Sequence, residues 1–290
     1  MQFRGIIPAL VTPFTADQQV DQQALRALVE NLIQAGVHGL FVLGTNGEFF
    51  TLSEAEKLEI ARVTVEAAGG RVPVVIGTGA FATREVIEMN KKMADIGANA
   101  LSVITPYFNA ISQYELIKHY EAVAEASSLP LMMYNIPAKT GMSIGIGAVA
   151  ALHQHPMIKG IKDSAGNFDA LVQMIKYRSD DFAVFAGTDS LIYWNLLAGG
   201  DGAIAATANA VPDLVMSIWN HFQAGDHEAA RRAQEALRPL RDAFAMGTMP
   251  VVLKKATELL NLPVGPCRAP VQPLDAAAVQ KLETLLSVYR

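Results

Sequence analysis

Two lysines stand in one apolar run near the middle of the chain, and one of them has a setting suited to nucleophilic chemistry. The run reads IKGIK over 158–162, and the turn-forming stretch DSAGN follows Lys162 at once. Burial of a lysine favours the neutral amine, which is the form that attacks a ketone. Lys162 is therefore a candidate for Schiff-base chemistry, with a structural ion pair as the alternative. Lys159 has the opposite strand parity and is expected to be solvated or ion-paired.

Repeated short apolar runs predict the frame that must position Lys162. They alternate with amphipathic helical patterns over 21–34, 53–68, 113–126 and 168–177, and Ser53 with Glu56 forms a capping box. Near-continuous apolar strands between such helices indicate a parallel sheet covered on its faces, and eight repeats favour a (β/α)8 barrel, an α/β fold. The eight runs lie at 5–11, 39–44, 72–77, 100–105, 129–134, 158–162, 182–187 and 202–207.

The pattern changes after the eighth run, where the strand signal stops. Helices are predicted over 213–224, 227–245, 251–260 and 275–288. The sequence therefore predicts a barrel over 1–224 and a C-terminal helical bundle over 225–290, packed on the barrel because no low-complexity linker separates them.

Composition excludes several classes of function. The 290 residues carry a net charge of −5 without a Lys/Arg cluster, which argues against nucleic-acid and membrane-surface partners. The single cysteine, Cys267, predicts no disulfide and is expected to be inert packing. No signal peptide and no membrane span are expected, so the location is predicted to be cytoplasmic. Scattered histidines and missing phosphate-loop or dinucleotide motifs predict a site with no metal and no cofactor.

The residues that follow the strands carry the chemistry, because the active site of such a barrel lies at the C-terminal ends of its strands. Tyr134 ends the fifth run and can act as acid and base when a carbinolamine loses water. The loop GTNGE at 44–48 offers backbone N–H groups to a carboxylate. Alone, Tyr134 reads as a core residue and the loop as an ordinary turn; their coincidence with Lys162 favours a site for imine chemistry.

The motifs GIIPALVTPF, GTNGEFFTLS, VIGTGAFAT, ITPYFN, YNIPAKTG and GIKDSAGN resemble, in order and spacing, those of the dihydrodipicolinate synthase / N-acetylneuraminate lyase family. The likeness covers nearly the whole chain. It implies a TIM barrel with a C-terminal helical domain, usually a homotetramer. It also implies that Lys162 forms a Schiff base with pyruvate or another 2-keto acid. Tyr134 matches the catalytic tyrosine, Thr45 the hydroxyl that hydrogen-bonds it, and Ile204 a backbone carbonyl near the lysine.

Three positions depart from the pattern that the resemblance implies for dihydrodipicolinate synthases. Asn46 replaces a threonine that helps to hold the keto-acid carboxylate, a task we expect Asn46 and Gly47 to keep. Phe108 replaces a tyrosine that crosses to a neighbouring subunit and completes a proton relay, and phenylalanine carries no proton. Lys139 replaces an arginine that grips the carboxylate of aspartate semialdehyde, and lysine lacks the bidentate fork.

The principal interpretation is a metal-free class I lyase or aldolase acting on pyruvate or a keto acid derived from a sugar acid. The alternatives are 4-hydroxy-tetrahydrodipicolinate synthase, N-acetylneuraminate lyase and a non-catalytic protein that binds keto acids. Segment 204–207, which reads IAAT, lacks the serine that resembling neuraminate lyases use on the sugar chain. A small-molecule substrate and a homo-oligomer, tetramer or dimer, are expected.

Three residues are candidates for reading the rest of the substrate, namely Ser164, Asp189 and Lys139. Two aspartates near these positions also have a structural interpretation. Asp163 is expected to cap the helix that follows it, and Asp189 has capping of its own helix as the alternative to substrate binding.

Overall fold

Eight short strands form the frame of the structure, a computed structural model that describes residues 3–260 and 262–290. They form one sheet in the order β1-β8-β7-β6-β5-β4-β3-β2. A parallel bridge between Ala9 and Phe41, just beyond β1 and within the β2 segment, closes the sheet on itself. The predicted (β/α)8 barrel is confirmed, and each predicted apolar run corresponds to one strand, with β5 and β6 extending one residue past their runs. The strands are β1 Gly5–Pro8, β2 Leu40–Val42, β3 Val74–Gly77, β4 Ala100–Ile104, β5 Leu131–Asn135, β6 Ile158–Asp163, β7 Ala183–Ala186 and β8 Gly202–Ala205.

Side chains cap the N-termini of the first two helices, and the capping box of the second one was predicted from the sequence. Asp21 accepts a hydrogen bond from the backbone N–H of Ala24, and Ser53 with Glu56 forms the complete capping box. The helices are α1 Gln22–Gln34, α2 Glu54–Ala68, α3 Thr83–Ile96, α4 Gln113–Glu125, α5 Pro137–Thr140, α6 Ile146–Leu152, α7 Phe168–Ile175, α8 Ile192–Leu197, α9 Pro212–Gln223, α10 His227–Ala236, α11 Arg238–Ala243, α12 Val251–Leu259 and α13 Ala276–Leu286.

Helices α5, α6 and α8 were not predicted, and two further helical segments differ from the sequence prediction. Helix α3 was not predicted; its N-cap is Ala82, which has no side-chain oxygen, and its buried face contains the polar Asn90. The hydroxyl of Thr78 donates to Asn90 Oδ1 at 2.6 Å, which makes that burial tolerable. The single helix predicted over 227–245 is wrong: α10 ends at Ala236 and α11 begins at Arg238, because Pro239 supplies no N–H for a continuous helix.

The chain divides into two compact units. One comprises Val75–Ile204 with the N-terminal residues up to Gly5, and it contains Lys162, Tyr134, Ser164 and Asp189. The other comprises Ile6–Val74 and Ala205–Arg290, and it contains the GTNGE loop and helices α9 to α13. Strands β4 and β5 of the first unit are buried along their whole length, as parallel strands covered by helices should be.

The C-terminal helices belong to the second unit, where Tyr289 joins two of them. Its hydroxyl donates to the carbonyl of Ala236 at 2.8 Å and accepts from the N–H of Leu240 at 3.2 Å. Helix α9 ends at Gln223 and α10 begins at His227, and the predicted domain boundary at residue 224 stays a prediction. In the described part of the chain, no helix is long and apolar enough to cross a membrane.

Candidate active site

Lys162 lies near the end of β6 and is almost completely buried, with 3% of its surface exposed. Strand pairing brings Tyr134 of β5 directly beside it in register. The Lys162 Nζ lies 4.1 Å from the centroid of the Tyr134 ring, within the range of a cation–π contact. The structure therefore brings together the two residues that the sequence identified as nucleophile and proton carrier.

The surroundings of Lys162 favour the reactive form of its amine. Burial lowers the pKa of the Lys162 ammonium, and the hydrogen bond with the Tyr134 hydroxyl and the negative charge of Asp189 oppose that shift in part. A lowered pKa increases the fraction of neutral amine near pH 7, which is the nucleophile in imine formation. The phenol beside it is placed to exchange a proton with the attacking nitrogen.

The glycine that follows β7, Gly187, leaves room for this lysine. A Cβ on Gly187 would lie 3.0 Å from Lys162 Cε and 2.1 Å from Ser164 Oγ, so no larger residue fits there. Ser164 Oγ is buried and has no hydrogen-bond partner among the described residues. An orphaned hydroxyl beside this amine is suited to a substrate oxygen, and the role expected for Ser164 stays a prediction.

Asp163 does not cap the next helix, because Asn167 is the N-cap of α7 and accepts from the N–H of Ala170. Asp163 instead accepts a hydrogen bond from Asn135 Nδ2 at 2.6 Å, beside the paired ends of β5 and β6. Asn135 Oδ1 in turn accepts from the N–H of Ile144 at 2.9 Å. Burial raises the pKa of the Asp163 carboxyl. The pair links the strand ends that carry Tyr134 and Lys162.

The other residues expected to read substrate in this unit have different settings. Asp189 is buried and begins a 3₁₀ turn, Asp189–Leu191, whose N-cap is Thr188, so the capping role considered for Asp189 is wrong. Ile204 is buried within β8. Lys139 is exposed on α5 and makes no ion pair or side-chain hydrogen bond among the described residues. Phe108 is fully exposed and has a left-handed φ of 81°.

The GTNGE loop of the second unit forms a tight turn after β2. The N–H of Gly47 donates to the carbonyl of Gly44 at 3.1 Å, and that of Glu48 donates to the carbonyl of Thr45 at 3.2 Å. These two N–H groups are used within the turn and are not directed at a ligand. The side chain of Asn46 donates to the carbonyl of Ala9 at a long 3.5 Å, and Thr45 is half-buried.

A second buried lysine, Lys254 of α12, belongs to the second unit and was not predicted from the sequence. It donates to Glu48 Oε1 at 3.1 Å, and both side chains are buried. The signal in the sequence was a lysine that directly follows the apolar residues VVL at the start of VVLKKATEL. Cys267 is buried, and burial together with the nearby Glu48 raises its pKa to about 12, so the expected inert packing fits.

Comparison with known proteins agrees with this geometry over the whole chain. The model of the dihydrodipicolinate synthetase family matches residues 2–289. A protein of Methanospirillum hungatei named 4-hydroxy-tetrahydrodipicolinate synthase is 37% identical over 290 residues, covering 99% of each chain. A protein of Halalkalibacterium halodurans named 4-hydroxy-tetrahydrodipicolinate synthase 1 is 38% identical over 287 residues, covering 99% of this chain and 97% of that one.

Solved structures carry the same fold. The structure of YagE from E. coli K12, a prophage protein of the dihydrodipicolinic acid synthase family in complex with pyruvate, is 37% identical with a TM-score of 0.94 and covers 99% of this chain and 98% of that one. Dihydrodipicolinate synthase from Thermotoga maritima is 31% identical with a TM-score of 0.95 and covers 99% of each chain. The chain therefore belongs to the dihydrodipicolinate synthetase family, and it is a lyase of the Schiff-base aldolase type.

Proposed function

We propose that this lyase forms an imine between Lys162 and pyruvate, and that the imine serves as the electron sink for making or breaking the adjacent C–C bond. The amine nitrogen attacks the ketone carbon, the carbinolamine loses water, and loss of a proton or of an aldehyde from the neighbouring carbon gives an enamine. The observation that carries the proposal is the buried Lys162 amine, 4.1 Å from the Tyr134 ring. The relative with pyruvate bound, at 37% identity, supports the choice of keto acid.

The remaining site residues take the roles that their chemistry and the family resemblance favour. Tyr134 moves the proton at the carbinolamine stage, and Thr45 supplies the hydroxyl that relays it. Asn46 and Gly47 belong to the loop that holds the keto-acid carboxylate, with Asn46 as the donor and Gly47 as the residue that shapes the turn. Ile204 contributes its backbone near the lysine.

The departures from the synthase pattern at Phe108 and Lys139 concern the identity of the second substrate. We favour an aldehyde or keto acid of the sugar-acid type, read by Ser164, Asp189 and Lys139. The Ser164 hydroxyl, buried and without a partner among the described residues, supports recognition of a hydroxylated chain.

The second candidate function is 4-hydroxy-tetrahydrodipicolinate synthase, which the names of relatives at 37% and 38% identity favour. Phe108 and Lys139 weigh against it, because one lacks the relay hydroxyl and the other lacks the guanidinium fork.

The experiment is borohydride trapping with intact-protein mass measurement. Pyruvate should add one reduced imine to the wild type, with the mass of pyruvate less water plus two hydrogens, and no adduct to Lys162→Ala. Turnover is then compared between aspartate semialdehyde and a panel of hydroxylated aldehydes. No adduct with pyruvate or any other 2-keto acid would overturn the proposal, and fast turnover with aspartate semialdehyde alone would favour the synthase.

We also propose that the chain self-associates, as a dimer or tetramer. Exposed aromatic side chains support this proposal, since large exposed apolar groups are typical of contact surfaces. Phe108 and Tyr114 stand out at 102% and 69% exposure. Sedimentation analysis should find an assembly heavier than the monomer, and a monomer at micromolar concentration would contradict it. The cytoplasmic location is likewise proposed, on family membership.

A further inference from the structure

The second buried lysine has all of its hydrogen-bonding capacity in use. Lys254 Nζ donates to the carbonyl of Thr12 at 2.8 Å, to the carbonyl of Pro266 at 2.6 Å and to Glu48 Oε1 at 3.1 Å. It also lies 4.4 Å from the centroid of the Phe14 ring. An ammonium has three N–H bonds, so this lysine is satisfied and fixed. It joins α12 to three separate segments of its unit.

Glu48 is the residue on which these contacts converge, and it is the last residue of the GTNGE loop. Its second oxygen, Oε2, accepts from the backbone N–H of Arg268 at 3.0 Å. Its backbone is left-handed, with φ of 54°, a conformation that is uncommon for a residue with a side chain. The two carboxylate contacts, one to each oxygen, fix the Glu48 side chain between Lys254 and Arg268.

The rest of the loop is tied to the same segments. The hydroxyl of Thr12 donates to the carbonyl of Gly47 at 2.7 Å, while the carbonyl of Thr12 accepts from Lys254. The Arg268 guanidinium forms an ion pair with Glu56 at the start of the helix that follows the loop, and donates to the carbonyl of Thr51 at 3.1 Å. The exit of the loop is therefore fixed by residues from the C-terminal part of the chain.

A buried ion pair is a weak source of stability, since desolvation cancels much of the attraction, so its presence calls for another explanation. We infer that Lys254 and Glu48 are positioning residues, which hold Thr45, Asn46 and Gly47 in the conformation that binds the carboxylate of the keto acid. Neither side chain needs to touch the substrate. The inference rests on the proposed function, because it assigns that loop to the carboxylate.

The test is a double variant, Glu48→Gln with Lys254→Met, which removes both charges and so leaves no unpaired ion in the interior. We expect it to fold, with KM for pyruvate raised by at least about tenfold and kcat changed far less, because a misplaced binding loop weakens binding. Borohydride at saturating pyruvate should still trap the imine on Lys162. Lys255→Met is the matched control, since Lys255 pairs with Glu258 on the exposed side of the same helix.

The outcomes separate this inference from the proposed function. A folded double variant with the KM of the wild type would overturn the positioning role and leave the pair a structural one. Should the double variant fail to fold, Glu48→Asp is the second variant, since it keeps both charges and only withdraws the carboxylate from Lys254 and Arg268 by one methylene; the same split of KM against kcat then decides the question. Absence of a pyruvate adduct in the wild type would instead overturn the proposed function, and the inference would fall with it.

Discussion

Two lysines are buried in this chain to nearly the same degree, yet their partners assign them opposite tasks. Lys162 and Lys254 are 3% and 1% exposed, and each Nζ lies over an aromatic ring, at 4.1 and 4.4 Å. Burial lowers the pKa of both ammonium groups. For Lys254, the partners are a carboxylate and two carbonyls, and all three favour the charged form.

For Lys162, the neighbour that most opposes the effect of burial is the phenol of Tyr134, and the charge of Asp189 opposes it less. A phenol can donate or accept a proton, whereas backbone carbonyls only accept. Burial alone thus does not mark a reactive lysine. The partner set does: acceptors fix an ammonium in place, and a proton-exchanging group beside the amine permits chemistry.

The largest expected effect is the loss of the reactive lysine. Lys162→Ala should lower turnover by about 10⁴-fold or more, since the imine cannot form without the amine. Thermal unfolding should be unchanged or shifted upward, because a costly buried amine is removed. Both are measured on the same preparation, with Lys159→Ala as the control on the same strand. If the variant turned over substrate near the wild-type rate, the imine would have to form on a residue other than Lys162.

The second-largest effect is expected from removal of the Tyr134 hydroxyl. Tyr134→Phe keeps the ring beneath Lys162 but removes the proton carrier, so turnover should fall by roughly 10²–10⁴-fold. The amine remains, and borohydride should still trap pyruvate after longer incubation. Single-turnover measurement of imine formation separates the two effects. If the variant forms the imine at the wild-type rate, the proton carrier for that step is another group.

Replacement of Lys254 should lower the stability of the protein, whereas replacement of Lys162 should lower its activity. Lys254→Met leaves the Glu48 carboxylate buried without its ammonium partner and should lower the free energy of unfolding by about 3–5 kcal/mol. The double variant with Glu48→Gln should recover most of that loss. Urea unfolding of the two variants measures the difference. Equal stability of the single and double variants would mean that the ion pair is not what the single variant disrupts.

The same contrast explains what the sequence could predict. Lys162 was identifiable because it ends an apolar strand run and a turn follows it, and strand order then put Tyr134 beside it. Lys254 was not, because its carboxylate, Glu48, is 206 residues away in the chain and only the fold brings them together. Helix α3 was not predicted for a related reason. Asn90 interrupts its apolar face, and burial of Asn90 depends on the hydrogen bond from the Thr78 hydroxyl.

The site itself was predicted in part. The identities of Lys162 and Tyr134 follow from local pattern, and their contact follows from parallel pairing in register. The hydrogen bond between Asn135 and Asp163 was missed, because Asp163 stands just ahead of a helix and reads locally as its cap. A capping rule based on nearby sequence takes no account of residues on the neighbouring strand. Here such a residue, Asn135, forms the hydrogen bond with Asp163.

A smaller effect is expected where the C-terminal segment holds α2. The hydrogen-bonded Arg268 guanidinium lowers the pKa of Glu56 from 4.5 to about 2. A lowered carboxyl pKa adds stability that is present above pH 4.5 and is lost as the pH falls toward 2. Unfolding free energies across this range should fall more steeply for the wild type than for Glu56→Gln, by about 2 kcal/mol after screening. If the two curves of unfolding free energy against pH are parallel, other carboxylates cause the loss of stability in acid.

The smallest effect is expected at Lys159, the other lysine of β6, which pairs with Asp181 at 2.9 Å as the sequence indicated. Asp181 is 85% exposed at its side chain, so water and salt screen the pair. Lys159→Met should change the free energy of unfolding by less than about 1 kcal/mol and leave turnover unaltered. The difference should shrink further at high salt. A larger loss would show that strand position, and not the partner set, determines what a lysine contributes here.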